Sequence, residues 1–300
     1  MTTPRLALTL ILPIAALVSL DAWSPASPER ALPAPPQATS AAGAVEVGWC
    51  VGLDRIADAK AAGFQYVEMN TTQLTTMSDA EFDAAAERIK ANGLPVPVTN
   101  SFLPGTIRLT GPDIKPDEQM TYVIRAFTRL QRLGTRIVVF GSGGARRFPD
   151  GFSKEEAFAQ LVDFGKRIAV EARARGITVA VEPLRVQESN IINSAREGLA
   201  LVKAINDPNF QLMIDFFHLA SEKEDPQIVI DGKDYLRHLH MANPTGRVFP
   251  LKWEEFDYAP FFANLRKIGY KGRISVEASS KDVPAEGPMS IALLKKAFVN

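Results

Sequence analysis

A repeated unit constrains this chain more than any other feature: a short apolar run, an amphipathic stretch, a glycine, and the next apolar run. Gly63, Gly93, Gly134, Gly176 and Gly269 each close a helical pattern and precede a strand-like run. Glycine is the residue that most easily ends a helix in the left-handed conformation. Helix starts are marked as well: Ser78–Glu81, Ser153–Glu156 and Ser194–Glu197 have the Ser-x-x-Glu spacing of a capping box. The runs between these signals read as strands at 46–52, 64–69, 96–102, 136–140, 178–184, 210–216, 236–241 and 273–278. Single helices are expected at 53–62 and 253–268 among the rest. Strands that alternate with helices imply right-handed crossovers and a parallel sheet. Eight such units close into an α/β fold of the (β/α)8 TIM barrel type, whose active site lies at the C-terminal strand ends. An open doubly wound sheet would instead gather its ligand residues at one switch point.

Composition limits the function classes. The chain is 46% hydrophobic and 23% charged, which suits a globular protein with a sizeable core. Lys+Arg and Asp+Glu number 34 each, so no basic field attracts nucleic acid. The single cysteine, Cys50, excludes an intrachain disulfide framework. The N-terminus speaks to compartment. Arg5 precedes the nearly wholly apolar run Leu6–Leu20, and small and Pro-rich residues continue through Gly43. That is the pattern of a secretory signal; the run is short for a membrane span and Pro13 interrupts it. The expected organisation is a signal peptide at 1–22, a Pro/Ala-rich linker at 23–44 and a barrel at 45–300. The expected location is secreted or periplasmic, with no membrane partner after cleavage; a cytoplasmic protein with an apolar extension is the alternative.

Four apolar strands deliver polar residues at their ends: Glu182 just before Pro183, Asp215 after Met213-Ile214, His240, and Glu277 after Ser275-Val276. A buried carboxylate is costly unless it is paired or bound to a metal. Three carboxylates and an imidazole suit Mn²⁺, Mg²⁺ or Co²⁺ and admit Zn²⁺. Each residue alone has an ordinary alternative. Glu182 has Arg185 as a partner, Asp215 can cap the next helix, His240 can be a satisfied core histidine, and Glu277 can bridge to a lysine. All four at one height in a barrel make a site. His238 is read as structural and facing the helices, and Trp49 and Glu68 as pocket walls. Met69, Phe102 and Phe140 are read as packing, and Gly141–Gly144 with Arg146 and Arg147 as a barrel loop rather than a phosphate cradle.

Four segments carry a resemblance: Val-Glu182-Pro-Leu-Arg-Val-Gln-Glu188 through Asn193, Met-Ile-Asp215-Phe-Phe-His218, Arg-His-Leu-His240 through Arg247, and Ile-Ser-Val-Glu277. They resemble the sugar phosphate isomerase/epimerase family with the xylose-isomerase-like barrel, including the ketose 3-epimerases. The resemblance implies that Glu182, Asp215, His240 and Glu277 hold a divalent metal. It implies that Glu188, His218 and Arg247 contact substrate, and that Glu182 and Glu277 are the catalytic pair, exchanging protons with opposite faces of a sugar. The chain departs from the epimerases in its longer His240–Arg247 interval and in Arg185-Val186, where they commonly have Asn-Arg. The implied activity is a metal-dependent sugar isomerase or epimerase working through an enediolate. Its partner is a small sugar or keto-sugar, and a homo-oligomer is left open. Two rivals remain: a lyase or hydrolase of 3-keto-glycosides or keto-inositols on the same barrel, and a non-catalytic sugar-binding protein. A DNA-repair endonuclease of the same superfamily needs many histidines, and this chain has 3.

Overall fold

All five of those helix-ending glycines adopt positive φ, from 64° to 88°, so each does terminate its helix in the left-handed region. The computed structural model describes residues 45–299, and within them eight parallel strands close into a barrel in sequence order. The strands are β1 Glu46–Cys50, β2 Tyr66–Asn70, β3 Val98–Asn100, β4 Ile137–Phe140, β5 Thr178–Val181, β6 Phe210–Asp215, β7 Leu236–Met241 and β8 Arg273–Val276. The expected signal peptide and linker lie outside the described residues. Among the described residues, no helix is long and apolar enough to cross a membrane.

Helix starts follow the sequence signals. Ser78 and Glu81 form a complete capping box. Ser153 and Ser194 accept only the N3 amide, because Glu155 takes the Ser153 hydroxyl and Glu197 turns to Lys154 and the Asn193 amide. Two expected helices divide. Residues 53–62 become a 3₁₀ turn at Leu53–Arg55 and a helix at Ile56–Ala61. Residues 253–268 become a 3₁₀ turn at Trp253–Glu255 and a helix at Ala259–Lys267. Pro260 explains the second break: proline fits the first turn of a helix, not its interior.

Two apolar layers result. The larger lies between barrel and helices, where Val47, Trp49, Val138, Phe140, Val179 and Ile214 meet the helical faces. The smaller fills the barrel with Tyr66, Val98, Ile137, Val139, Ala180 and Met213. The Tyr66 ring crosses this interior because β1 has no side chain at Gly48; a Cβ there would stand 2.2 Å from the ring. One irregularity sets the site. Between β6 and β7, Leu212 pairs with Leu236 but Met213 pairs with His238, leaving Arg237 unpaired. A one-residue shift turns a strand's side chains to its other face. Here it seats Asp215 directly beside His240, whose other neighbour is Ser275 of β8.

Candidate active site

The four predicted metal ligands converge at the C-terminal end of the barrel. Glu182, Asp215, His240 and Glu277 each offer a ligand atom, and those atoms all lie within 4.8 Å of one another. Backbone contacts hold each carrier. The Glu182 amide donates to Phe140 O at 3.1 Å, and the buried guanidinium of Arg146 donates to Glu182 O at 2.7 Å. Asp215 Oδ1 accepts the Phe217 amide at 2.8 Å, so the capping role open in the sequence coexists with membership of the cluster. The Glu277 amide donates to Met241 O at 3.0 Å. Glu182 does not pair with Arg185, which bonds Glu188 instead.

The electrostatics of the cluster are divided. Burial pushes Glu182 above the usual carboxylate range. Burial, then the charge of Glu277, pushes Asp215 up to about 6. Burial acts the same way on Glu277, but His240 and Arg247 outweigh it and hold that carboxyl down at about 2. Burial disfavours the His240 cation, yet Glu68 and Glu277 raise its pKa well above the ordinary imidazole value. Glu182 Oε1 makes no hydrogen bond and faces His240 Nδ1 at 3.3 Å. A buried acceptor without a donor, among three carboxylates and an imidazole, is what a divalent cation completes. The residues therefore fit the group.

The three predicted substrate residues line the same cavity. His218 Nδ1 accepts the Arg185 amide at 3.3 Å, so its proton sits on Nε2. That nitrogen has no hydrogen-bond acceptor, and it points at Asp215, Glu182 and Glu188 from 3.6, 3.9 and 4.0 Å. Arg247 donates from Nη2 to Glu277 at 2.5 Å and to Asp215 at 3.2 Å, and stacks on Phe217. It stands in the left-handed region at φ 49° behind Gly246 at φ 85°, a turn that aims the side chain back into the barrel mouth. Ser101 and Ser142, also at positive φ, line the cavity too. Two chambers flank the cluster. One of about 290 Å³ runs past Gly141–Gly144, Glu182, Glu188 and His218. The other, about 580 Å³, runs past Cys50, Asn70, Asn100, Ser101 and Ser279. Arg247 and Glu277 belong to both.

Two readings of the sequence need correction, and a third is extended. His238 does not face the helices. It lies two residues from His240, and residues two apart on a strand share a face. It is fully buried inside the barrel and bonds Glu68 through Nε2 at 2.9 Å. Trp49 does not wall the pocket; its strand parity turns it outward onto Phe64 and Phe249, leaving Gly48 and Cys50 inward. Glu68 lines the cavity floor but is fully buried, and its other oxygen is 2.8 Å from His240 Nε2. The Gly141–Gly144 segment wraps the cavity, with Gly143–Arg146 forming one helical turn. Arg146 bonds the carbonyls of Phe140 and Glu182, so its guanidinium is committed to the backbone.

Comparison with known proteins agrees with the barrel fold. The family model described as xylose isomerase-like TIM barrel matches residues 56–297. An L-ribulose 3-epimerase from Methylomonas sp. (strain DH-1) is 31% identical over 144 residues, which cover 46% of this chain and 47% of that protein. The match thus spans about half the length of that relative. An L-ribulose 3-epimerase from Mesorhizobium japonicum is 27% identical over 237 residues, covering 77% of this chain and 76% of that protein. Both relatives are epimerases, which are isomerases. The crystal structure of a D-psicose 3-epimerase in the presence of D-fructose superposes with a TM-score of 0.75 at 19% identity, covering 85% of this chain and all of that one. It supports the barrel fold.

Proposed function

This chain belongs to the xylose isomerase-like TIM barrel family, and from that premise we propose that it is a divalent-metal-dependent epimerase or isomerase of a keto-sugar. One observation carries the reading: two glutamates, Glu182 and Glu277, meet Asp215 and His240 at one point of a cavity lined by hydrogen-bonding side chains. These four would hold the cation, Mn²⁺, Mg²⁺ or Co²⁺ with Zn²⁺ also accommodated, which would neutralise charge developing on substrate oxygens. The protein's own groups move the proton. A carboxylate oxygen of one glutamate takes the proton from the carbon beside the carbonyl, leaving an enediolate. The other glutamate returns a proton to the opposite face, which inverts that carbon. His218 donates from Nε2 to a substrate hydroxyl, and Glu188 accepts from another. Arg247, which lines both chambers, supplies a cation to a sugar oxygen. Action outside the cytoplasm belongs to the same reading, on the strength of the apolar run behind Arg5.

Metal-loaded protein incubated in D₂O with a panel of ketoses tests the proposal. Deuterium entering the carbon beside the carbonyl, with the carbon chain intact, is the expected result. No exchange with any ketose in the panel overturns it. A second reading has a specific support. The chamber of about 580 Å³ opens beyond Glu277 and is lined by Asn70, Asn100 and Ser279, room for a second ring. It favours a 3-keto-glycoside, and release of an aglycone from that substrate would identify a lyase or hydrolase.

A further inference from the structure

The barrel beneath the cluster is apolar except at one place. Glu68 of β2 is fully buried beside Tyr66, His238, His240 and Ser275, each of them also buried. A lone carboxylate there costs several kcal/mol unless every oxygen is satisfied. Both are. Oε1 lies 2.8 Å from His240 Nε2. Oε2 lies 2.9 Å from His238 Nε2 and accepts the Ser275 hydroxyl at 2.6 Å. The Ser275 oxygen in turn is 2.8 Å from Tyr66 OH, which leans across the barrel over Gly48. Glu68 therefore cannot rotate without breaking three hydrogen bonds.

A carboxylate only accepts, so the bond from His240 commits the proton on Nε2. The other ring nitrogen, Nδ1, then faces Glu182 Oε1 at 3.3 Å and Glu277 Oε2 at 3.1 Å, inside the four-ligand cluster. We propose that Glu68 is a positioning residue that fixes the tautomer and ring orientation of His240, so that Nδ1 serves as the metal ligand. The proposal rests on the reading that Glu182, Asp215, His240 and Glu277 hold a cation. It assigns His238 and Ser275 the task of holding Glu68. It also decides between two sets of donors. Cys50, Glu68 and His240 bring ligand atoms within 4.8 Å of one another as well. Glu68 faces Nε2, so a cation taken by that set would use Nε2 and displace its proton.

The first measurement is Mn²⁺ affinity by competition with a chelator, for wild type, Glu68→Gln and Asp215→Asn. The amide of Gln keeps the shape of Glu68 but presents N–H to one of the two histidines. Loss of such an outer partner typically weakens binding about 10- to 100-fold, and that is the expected result for Glu68→Gln. Wild-type affinity in folded Glu68→Gln, with affinity lost in Asp215→Asn, overturns the role of Glu68 and leaves the ligand set standing. The second measurement needs no variant. In Zn²⁺-loaded wild-type protein, nitrogen-15 NMR should show His240 retaining its proton on Nε2 and coordinating through Nδ1. A proton on Nδ1 with the metal on Nε2 overturns the proposal.

Discussion

Arg247 Nη2 lies 2.5 Å from Glu277 Oε2 and 3.2 Å from Asp215 Oδ2, so one guanidinium engages two of the four candidate metal ligands. A divalent cation at the cluster meets this positive charge and competes for the same oxygens. Arg247 also shares the cavity with Glu188 and His218. Replacing it should move two constants in opposite directions. Arg247→Gln should tighten Mn²⁺ binding by roughly tenfold, a modest part of the charge–charge energy at such range, and should raise KM for the sugar. Calorimetry of metal binding and steady-state kinetics at saturating metal measure the two. Weaker metal binding in Arg247→Gln would contradict the competition.

Gly141 lies against Glu182 in a way no other residue could. A Cβ built at Gly141 would stand 2.3 Å from Glu182 Oε2, so Gly141→Ala must push that carboxylate away. The backbone there is not left-handed, so the cost falls on the glutamate rather than on the turn. The expected outcome is a folded protein, destabilised by about 1–3 kcal/mol as for other overpacked sites, with weakened metal binding and lower kcat. Urea unfolding and metal titration on one preparation separate these effects. Unchanged metal affinity would place Glu182 outside the metal site.

The pH dependence of metal binding follows from Asp215. Its folded-state pKa, pushed up to about 6 by burial and by Glu277, exceeds the ordinary aspartate value of about 3.9. Between those values the metal-free folded protein binds more protons than the unfolded chain. This group therefore makes metal-free stability fall as pH rises through that window. A cation must displace the His240 proton from Nδ1 at any pH below that group's raised pKa, and the Asp215 proton as well below about 6, so apparent affinity should fall with pH across the range and more steeply below about 6. Titrations with Mn²⁺ from about pH 5 to 7.5 test this. A fall that does not steepen below about 6 would contradict the assignment of Asp215, and a flat affinity would contradict that of His240 as well.

What the sequence revealed, and what it hid, follows from distance along the chain. Glu182 was legible because Pro183 ends its strand, and Asp215, His240 and Glu277 because each closes an apolar run. The helix-ending glycines and the Ser-x-x-Glu starts are local signals, and the structure uses them. Glu68 was read as a pocket wall, and it does line the cavity, but its bonds to His240 and His238 were hidden, because those partners lie across the barrel, 172 and 170 residues away. The bulge at Arg237 has no local marker, although the pairing of Asp215 with His240 depends on it. The errors at His238 and Trp49 were of parity alone, and strand alternation, applied strictly, already places His238 with His240. Pro260 marks the break in the helix expected at 253–268.

The proton-transfer pair is the sharpest test of the proposed chemistry. Glu182 and Glu277 end β5 and β8 and come together with His240 between them, whose Nδ1 is 3.3 Å from one and 3.1 Å from the other. In the metal-free protein their environments part them: burial raises Glu182, while His240 and Arg247 overcome burial at Glu277 and lower it. A pair split in this way can hold one proton to give while the other group is free to take one. Gln at either position keeps an oxygen that can coordinate but cannot carry the proton. Glu182→Gln and Glu277→Gln should each lose about 10²–10⁴ in turnover at saturating metal. Glu188→Gln should lose less, because that carboxylate already bonds Arg185 and only positions the substrate. Deuterium exchange at the substrate carbon, with metal held saturating, isolates the proton step from the binding defect. Wild-type exchange in both variants would refute the paired-carboxylate mechanism. Exchange retained in one alone would mean that a single base works one face, the behaviour expected of a lyase rather than an epimerase.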